Sequence, residues 1–315
     1  MSDARNALTP ESLFMLQAIA ESGSFAAAAR KLGLVPSALT YRVRQIEDAL
    51  DVLLFDRNSR HANPTEAGHA LLQDADRLLR EIDTVAHRVK RVATGWEPQL
   101  TIAIDGLISR ETMFELIQHF YELSPPTQLK IIEGVLTGTL EALTSGRADL
   151  AIGINIQTTE IANLQTRDLG DVPFCFVVGC SHPLASHQEP ISDEILRKHR
   201  LIVVADSNHK DPASIGLLHG QETLTVDNLQ SKIDAQVHGL GCGFIPETLA
   251  QPYIEQGLLT VKAVERPRRN MRLRYGWKNA EHIQPGRALR WWLQQLESQS
   301  TKQALLHRSR KLYMS

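Results

Sequence analysis

At 315 residues the chain is long enough for two or three domains, and its 43% hydrophobic and 22% charged content suits packed cores, not a disordered or fibrous chain. A net charge of −2 gives no bulk attraction to nucleic acid, and the three cysteines, with no CxxC spacing, form neither a disulfide framework nor a zinc site. No apolar run approaches the ~18 residues of a membrane helix, and the start, MSDARNALTP, lacks the basic-then-apolar order of a signal peptide, so a cytoplasmic protein without membrane association is expected.

The first predicted helix covers about 10–22 and turns Leu13, Leu16 and Ala20 to a core. Ser24 can cap a second helix starting at Phe25, because its hydroxyl can accept an orphan backbone N–H of the first turn. Ala26 to Ala29 favour helix and allow another helix to approach closely, and Gly33 can end the helix at positive φ. Pro36 suits the first position of a third helix, which runs to about 50. Leu39, Val43, Ile46 and Leu50 form one stripe of that helix, while Ser37, Tyr41 and Arg44 fall opposite and Thr40 lies at the edge. A wing is predicted at 52–63, with Arg57 and Arg60 on either side of a turn at Asn58-Ser59.

A helix buried on one side, with small polar groups, an aromatic and an arginine on the other, has what a recognition helix needs. Its outer face must enter the major groove of duplex DNA and reach base edges. The competing reading is an ordinary helical hairpin with a solvated face. Residues 1–95 hold 12 Lys/Arg and 12 Asp/Glu, so phosphate contacts must come from placement and not from bulk charge. Arg30, Lys31, Arg42, Arg44, Arg57 and Arg60 all lie around the element that would meet the duplex. The candidate DNA contacts are Ser37, Thr40, Tyr41, Arg42, Arg44, Arg57 and Arg60.

A long helix is predicted from Thr65 to about Thr94. Along it Leu71, Ala75, Leu78, Ile82, Val85, Val89 and Val92 alternate steps of four and three, a seam of period ~3.5. A helix between a small domain and a large one cannot bury such a seam on itself. A partner helix from a second subunit is its simplest occupant, and packing on the chain's own core is the alternative. Leu71, Leu78, Ile82, Val85 and Val89 are the candidate dimerisation residues.

Residues 24–68 resemble the N-terminal domain of LysR-type transcriptional regulators. The resemblance rests on Leu32, Ala38, Leu39, Thr40, Ile46-Glu47, Leu50, the step Leu54-Phe55-Asp56-Arg57, and the helix opening Thr65-Glu66-Ala67-Gly68. Where the family usually has Ser-Gln-Pro, this chain has Val35-Pro36-Ser37, and Tyr41 replaces a common arginine, so no base preference is carried over.

From residue 99 strands and helices alternate: strand 99–105, helix 109–123, strand 128–133, helix 137–145 and strand 149–154. The apolar runs Ile102-Ala103-Ile104 and Leu150-Ala151-Ile152 suit strands covered on both faces of a mainly parallel sheet. A second α/β unit is predicted from about 171, with strands at 172–179, 201–205, 223–226 and 242–245 and helices near 192–198, 228–239 and 247–256. Cys175, in the run Phe174–Val178, is expected as a core filler, and His182 and His187 as solvated loop residues. The strand Arg272–Trp277 and a final helix at 283–297 then return to the first unit. The tail 298–315 carries Lys302, Arg308, Arg310 and Lys311 and no acid, and is expected to be a mobile solvated end or an auxiliary phosphate contact.

Two lobes joined by two crossings resemble the periplasmic-binding-protein-like effector domain of the same family, with matching runs at Gly146–Gly153 and Val237–Pro246. The expected fold is therefore an α+β multidomain chain: a winged helix-turn-helix (1–64), a linker helix (65–95), lobe 1 (96–170 with 271–297), lobe 2 (171–270) and the basic tail. Ligands in open α/β sheets sit beyond the carboxyl ends of strands, where helix N-termini offer free N–H groups. Here those loops carry Leu107, Ile108, Ser109, Leu136, Thr137 and Asn155, faced by Ala205 and Asp206. The resemblance places effector contacts on the same loops, although Ser109 and Thr137 also read simply as helix caps. Arg110 is the one cation noted beside them, which leaves an anionic effector without support from charge.

No G-x-S-x-G, P-loop, H-E-x-x-H or strand-following G-x-G-x-x-G is present, and the twelve histidines lack ligand spacing, so neither enzyme activity, metal nor cofactor is expected. The expected protein is a sequence-specific transcriptional regulator that binds double-stranded DNA, pairs with itself as a dimer or dimer of dimers, and answers to a small-molecule effector between the lobes. RNA polymerase is a further partner in this reading. A solute-binding protein would share the two lobes but needs a secretion signal and no DNA motif. A constitutive architectural DNA-binding protein needs no ligand domain, and only it predicts a footprint indifferent to every metabolite.

Overall fold

The computed structural model describes residues 2–56, 61–155, 163–208, 218–267, 269–278 and 284–307. The chain forms two compact units, Met1–Val89 and Lys90–Ser315.

The first unit is helical. A short α1 (Ser2–Ala7), which the sequence pattern did not suggest, precedes α2 (Pro10–Ser22), α3 (Phe25–Leu32), α4 (Pro36–Leu50) and the long α5 (Glu66–Thr94). The caps follow the residue types. Ser24 accepts the Ala27 N–H at 3.2 Å, and Gly33 ends α3 at φ 66°, a conformation a Cβ would strain. Leu39, Val43 and Ile46 are buried with Leu16, Ile19, Ala28 and Ala29, as the stripe required. Glu47 is the unexpected core member. Its carboxylate, 5% exposed, accepts the Leu54 N–H at 2.8 Å and so ties the end of α4 to the start of the wing. Phe55 packs edge-on against Phe25 at 5.5 Å and pairs with Pro64, and the Asp56 N–H donates to the Asn63 carbonyl, which forms the wing's base. Arg57, Asn58, Ser59 and Arg60 lie outside the described residues.

Among its described residues the second unit has nine strands and four clusters of buried hydrophobic side chains. Its elements are β1 (Gln99–Asp105), α6 (Arg110–Glu122), β2 (Gln128–Gly134), α7 (Gly138–Thr144), β3 (Leu150–Ile154), β4 (Leu164–Gly179), α8 (Asp193–Leu196), β5 (Leu201–Val204), β6 (Thr223–Val226), α9 (Leu229–Val237), β7 (Cys242–Pro246), α10 (Glu247–Glu255), β8 (Leu259–Val261), β9 (Asn270–Lys278), α11 (Arg287–Glu297) and α12 (Gln299–His307). The strand order is β2-β1-β3-β9-β4-β7-β5-β6, with β8 beside β4. In lobe 1, β2, β1 and β3 run parallel and β9 is antiparallel to both β3 and β4. In lobe 2, β6, β5 and β7 run parallel and β4 is antiparallel to β7.

Three features depart from the sequence reading. The strand expected at 172–179 begins at Leu164: β4 pairs with β9 through Pro173 and with β7 from Phe174, so one strand serves both lobes. Of the tail expected to be solvated from 298, Gln299–His307 instead form α12. Leu305 and Leu306 are buried in the lobe 1 core with Phe120, Leu273 and Trp292, because two adjacent leucines outweigh the surrounding polar residues once a groove is available. The four tail residues flagged as basic divide: Lys302 stands over the Tyr275 ring at 5.8 Å, while Arg308, Arg310 and Lys311 lie outside the described residues. His182, expected in solvent, is 6% exposed, and its Nδ1 accepts the Leu184 N–H at 3.2 Å as the cap of a short helical turn. Cys175 is half-buried on β4, facing the Ile245 carbonyl.

Candidate functional site

The outer face of α4 is what the buried stripe leaves free. Ser37, Arg42 and Arg44 are exposed, and Tyr41 is 63% exposed. The Gln45 amide donates to the Tyr41 hydroxyl at 3.1 Å, so the phenol is oriented along the helix. Thr40 is partly covered, and its hydroxyl donates to the Pro36 carbonyl at 2.9 Å, leaving it an acceptor toward any partner. Lys31 is engaged with Glu21 at 2.8 Å. Val35, in the turn before α4, is 62% exposed, an apolar group beside the polar face that the sequence reading did not include.

The α5 seam divides into two parts. Leu71 packs on the helix-turn-helix core and Ala75 is fully buried, so both serve the fold of the first unit and not a free seam. From there Leu78, Ile82, Val85, Val89 and Val92 rise from 38% to 79% exposed along one stripe. Arg77 pairs with Asp74 and Glu81, and Arg80 with Asp76, alongside it. An uncovered aliphatic stripe flanked by ion pairs is the form of a coiled-coil contact.

In the second unit a cavity of about 280 Å3 opens between the lobes. Its lobe 1 side is formed by Asp105, Gly106 and Leu107 after β1, Glu133, Val135 and Leu136 after β2, and Asn155 after β3. Val203, Val204, Ala205 and Asp206 from β5, with Leu229 and Lys232 from α9, form the lobe 2 side. Phe174, Arg269 and Met271 lie where the chain crosses, and Phe244 projects from β7 of lobe 2.

Five of the eight predicted effector residues line this cavity: Leu107, Leu136, Asn155, Ala205 and Asp206. Ile108 does not; it is 3% exposed and belongs to the lobe 1 core. Ser109 does not either. Its hydroxyl accepts the Thr112 N–H at 3.4 Å, and its own N–H donates to the Leu305 carbonyl of α12 at 2.8 Å. The helix formed by the tail thus takes the Ser109 N–H, and the hydroxyl caps α6 instead of facing the cavity. Thr137 makes no side-chain cap to α7; its hydroxyl donates to Asp206 Oδ2 across the cleft at 2.6 Å. Beside it the Val135 N–H donates to the Ser207 hydroxyl at 3.0 Å. A Cβ on Gly138 would lie 1.8 Å from Ser207 Oγ, so the approach of the lobes requires glycine there.

The electrostatics also differ from the sequence reading. Arg110 is held by Glu133 and is not a lining residue. The cations at the cavity are Lys232 and Arg269, which lie 127 and 164 residues after Asp105 and carried no local motif. Burial pushes the Lys232 ammonium down to about 8, with the Arg269 charge adding to it. Burial likewise pushes the Asp105 carboxyl up to about 7, against the stabilising N–H of Leu107 and with the Glu133 charge assisting. Among the described residues no helix is long and apolar enough to cross a membrane, and no cluster of His, Cys, Asp or Glu is placed to hold a metal ion.

Comparison with known proteins gives these features a family. Residues 10–69 match the bacterial regulatory helix-turn-helix protein model of the lysR family, and residues 93–301 match the LysR substrate binding domain. The chain is 34% identical over 289 residues to the HTH-type transcriptional regulator YeeY of Escherichia coli, covering 91% of this chain and 93% of that one. It is 36% identical over 260 residues to the probable regulator YhaJ of the same organism, covering 82% of this chain and 87% of that one. In fold it resembles full-length CbnR solved with its target DNA, with TM-score 0.62, 18% identity, and coverage of 92% of this chain and 99% of that one. Both halves of the molecule therefore lead to one assignment: the chain belongs to the LysR family of transcriptional regulators.

Proposed function

We propose that this regulator reads DNA with the outer face of α4, pairs through the exposed part of the α5 seam, and is controlled by a small molecule held in the cavity between its lobes. The observation that carries this reading is the presence, in one chain, of a recognition-type helix with an uncovered polar face and a two-lobed domain with a cavity at the carboxyl ends of its strands. Ser37, Tyr41, Arg42 and Arg44 are the groups offered to base edges and phosphates, with Thr40 at the margin and Arg57 and Arg60 assigned to the wing. The effector contacts are Leu107, Leu136, Asn155, Ala205 and Asp206, joined by Lys232 and Arg269.

Control works by population shift. A molecule that binds one arrangement of the lobes better than the other moves the equilibrium by its differential affinity and no more. In a dimer, or a dimer of dimers, that shift alters how paired DNA-binding units meet the duplex and how they present themselves to RNA polymerase. The protein acts in the cytoplasm, without a cofactor and without catalysing a reaction. The test is a footprint of the full-length chain on its own promoter region, with and without the compounds that raise its melting temperature. A footprint that changes with such a compound supports effector control; an identical footprint with every one of them leaves only a constitutive architectural role.

A further inference from the structure

Among the described residues, three carboxyls and two cations line the cavity: Asp105 and Glu133 on lobe 1, Asp206, whose Oδ2 accepts the Thr137 hydroxyl, and Lys232 of α9 on lobe 2, and Arg269 at the crossing between the lobes. Glu133 is occupied by Arg110, and Asp105 Oδ1 accepts the Leu107 N–H at 2.9 Å. Neither cation forms a salt bridge with a carboxylate among the described residues. The Arg269 guanidinium lies over the Phe174 ring at 5.2 Å from its centroid, a contact that orients the group but uses none of its N–H donors. Lys232 and Arg269 line the same small cavity, and the Arg269 charge adds to the burial that lowers the Lys232 ammonium. Two partly desolvated like charges side by side are unfavourable unless a negative group comes between them. The same cavity also offers apolar surface from Phe174, Phe244, Met271 and Leu229.

We infer that the effector is a small organic monoanion whose carboxylate lies between Lys232 and Arg269 and whose apolar body rests on Phe174, Phe244 and Met271. The inference rests on the reading of the cavity as the effector site. A monoanion is favoured over a phosphate dianion because the same small cavity also holds the Glu133 and Asp206 carboxylates, and a second negative charge on the ligand would face them. The guanidinium supplies two parallel N–H donors to one carboxylate edge, and the ammonium supplies the opposing charge.

The test is the melting temperature of the full-length chain with a series of monocarboxylates from acetate to benzoate, each beside its own amide and amine, and with phenyl phosphate. At about 10 mM, a carboxylate bound with a dissociation constant near 1 mM should raise the melting temperature by roughly 2–4 °C. Its amide and amine should not. Lys232→Gln and Arg269→Gln should each weaken binding at least about tenfold, the loss of one charge-assisted contact. Both variants should melt at or above the wild-type temperature without ligand, since each removes a poorly solvated charge. The wild-type response should also fade above pH 8, as Lys232 loses its proton.

Ala205→Trp, which fills the cavity, separates the two levels of the argument. A carboxylate that stabilises wild type but neither Ala205→Trp nor the two cation variants supports the inference. An amide or an amine that outperforms its carboxylate, and is blocked by Ala205→Trp, overturns the anion class, and phenyl phosphate that does so overturns the monocarboxylate; either leaves the cavity as the site. A carboxylate effect that survives Ala205→Trp overturns the cavity reading itself. Absence of any carboxylate effect across the series overturns the anion class.

Discussion

The Thr137 hydroxyl donates to Asp206 Oδ2 at 2.6 Å, and this bond joins the segment after β2 in lobe 1 to the segment after β5 in lobe 2. Asp206 is only 8% exposed, so the acceptor is a largely desolvated carboxylate, and the Ser207–Val135 pair lies directly beside it. Together they close one rim of the cavity without any help from a ligand.

Breaking that rim should loosen the closed arrangement. Thr137→Val removes a charge-assisted bond of about 1.5–3 kcal/mol in a part-buried site. Hydrogen exchange at the Ser207 amide, which faces the Val135 carbonyl, should speed up at least about tenfold. Gly138→Ala should act in the same direction by pushing Ser207 away. Exchange at the wild-type rate in both variants would mean that the lobes are held by other contacts. Ser109→Ala is the contrasting case: it should lower stability by about 0.5–2 kcal/mol as a lost helix cap and leave effector affinity unchanged.

On α5 the two halves of the seam should respond differently. Leu78→Asp or Ile82→Asp places a charge on the exposed stripe, where burial against a partner helix costs several kcal/mol; light scattering should show monomers or aggregates with a folded DNA-binding unit. Leu71→Asp should unfold that unit instead, because Leu71 packs on its core. A fully dimeric Leu78→Asp/Ile82→Asp protein would remove the seam from the interface.

For DNA recognition, Arg44→Ala should weaken binding to the specific site by about 1–3 kcal/mol if the guanidinium reads a base. An equal loss on random DNA would limit Arg44 to phosphate. Arg57→Ala and Arg60→Ala should each lower the salt slope of binding by about one unit, and an unchanged slope would exclude the wing from the contacts.

Asp105 makes stability depend on pH. Its folded-state pKa, about 7, lies above the ordinary 3.8, so the native protein holds a proton that the unfolded chain releases. The stabilisation from this site is present below about pH 4 and is lost as pH rises to 7, a change of about 4 kcal/mol at most. Asp105→Asn, which still offers an acceptor to Leu107, should flatten this part of the stability curve and raise the melting temperature at pH 8. A curve of unchanged shape would show that Asp105 is already ionised in the native protein.

The last helix should be part of the effector domain's stability. Leu305→Ala leaves a cavity in the lobe 1 core and should cost about 2–5 kcal/mol, read as a fall in melting temperature. Removal of residues 299–315 should lower it further, since the Ser109 N–H then loses the Leu305 carbonyl. A truncated chain that melts like wild type would mean that α12 is dispensable.

The sequence by itself determined what depends on neighbours along the chain. Ser24, Gly33 and Pro36 set the bounds of α3 and α4, because caps and backbone preferences act within one turn. The spacing of Leu39, Val43 and Ile46 chose the buried face of α4 and therefore the face offered to DNA. The apolar runs of β1 and β3 announced strands covered on both sides. The 3.5-residue period identified the α5 seam, although period alone could not show that Leu71 packs on the helix-turn-helix core and that Ala75 is already buried. The tertiary structure decided what depends on residues distant in the chain. Lys232 and Arg269 meet only because α9 and the Arg269 crossing converge on the same cavity, and neither stands in a pattern that marks it. Leu305 and Leu306 find a groove only after lobe 1 has formed, and α12 then takes the Ser109 N–H. Thr137 looks like an ordinary helix cap until lobe 2 brings Asp206 within 2.6 Å. Caps and periodicity are short-range forces and can be read residue by residue, whereas desolvation, charge pairing and cleft closure arise from packing between distant segments and appear only with the fold.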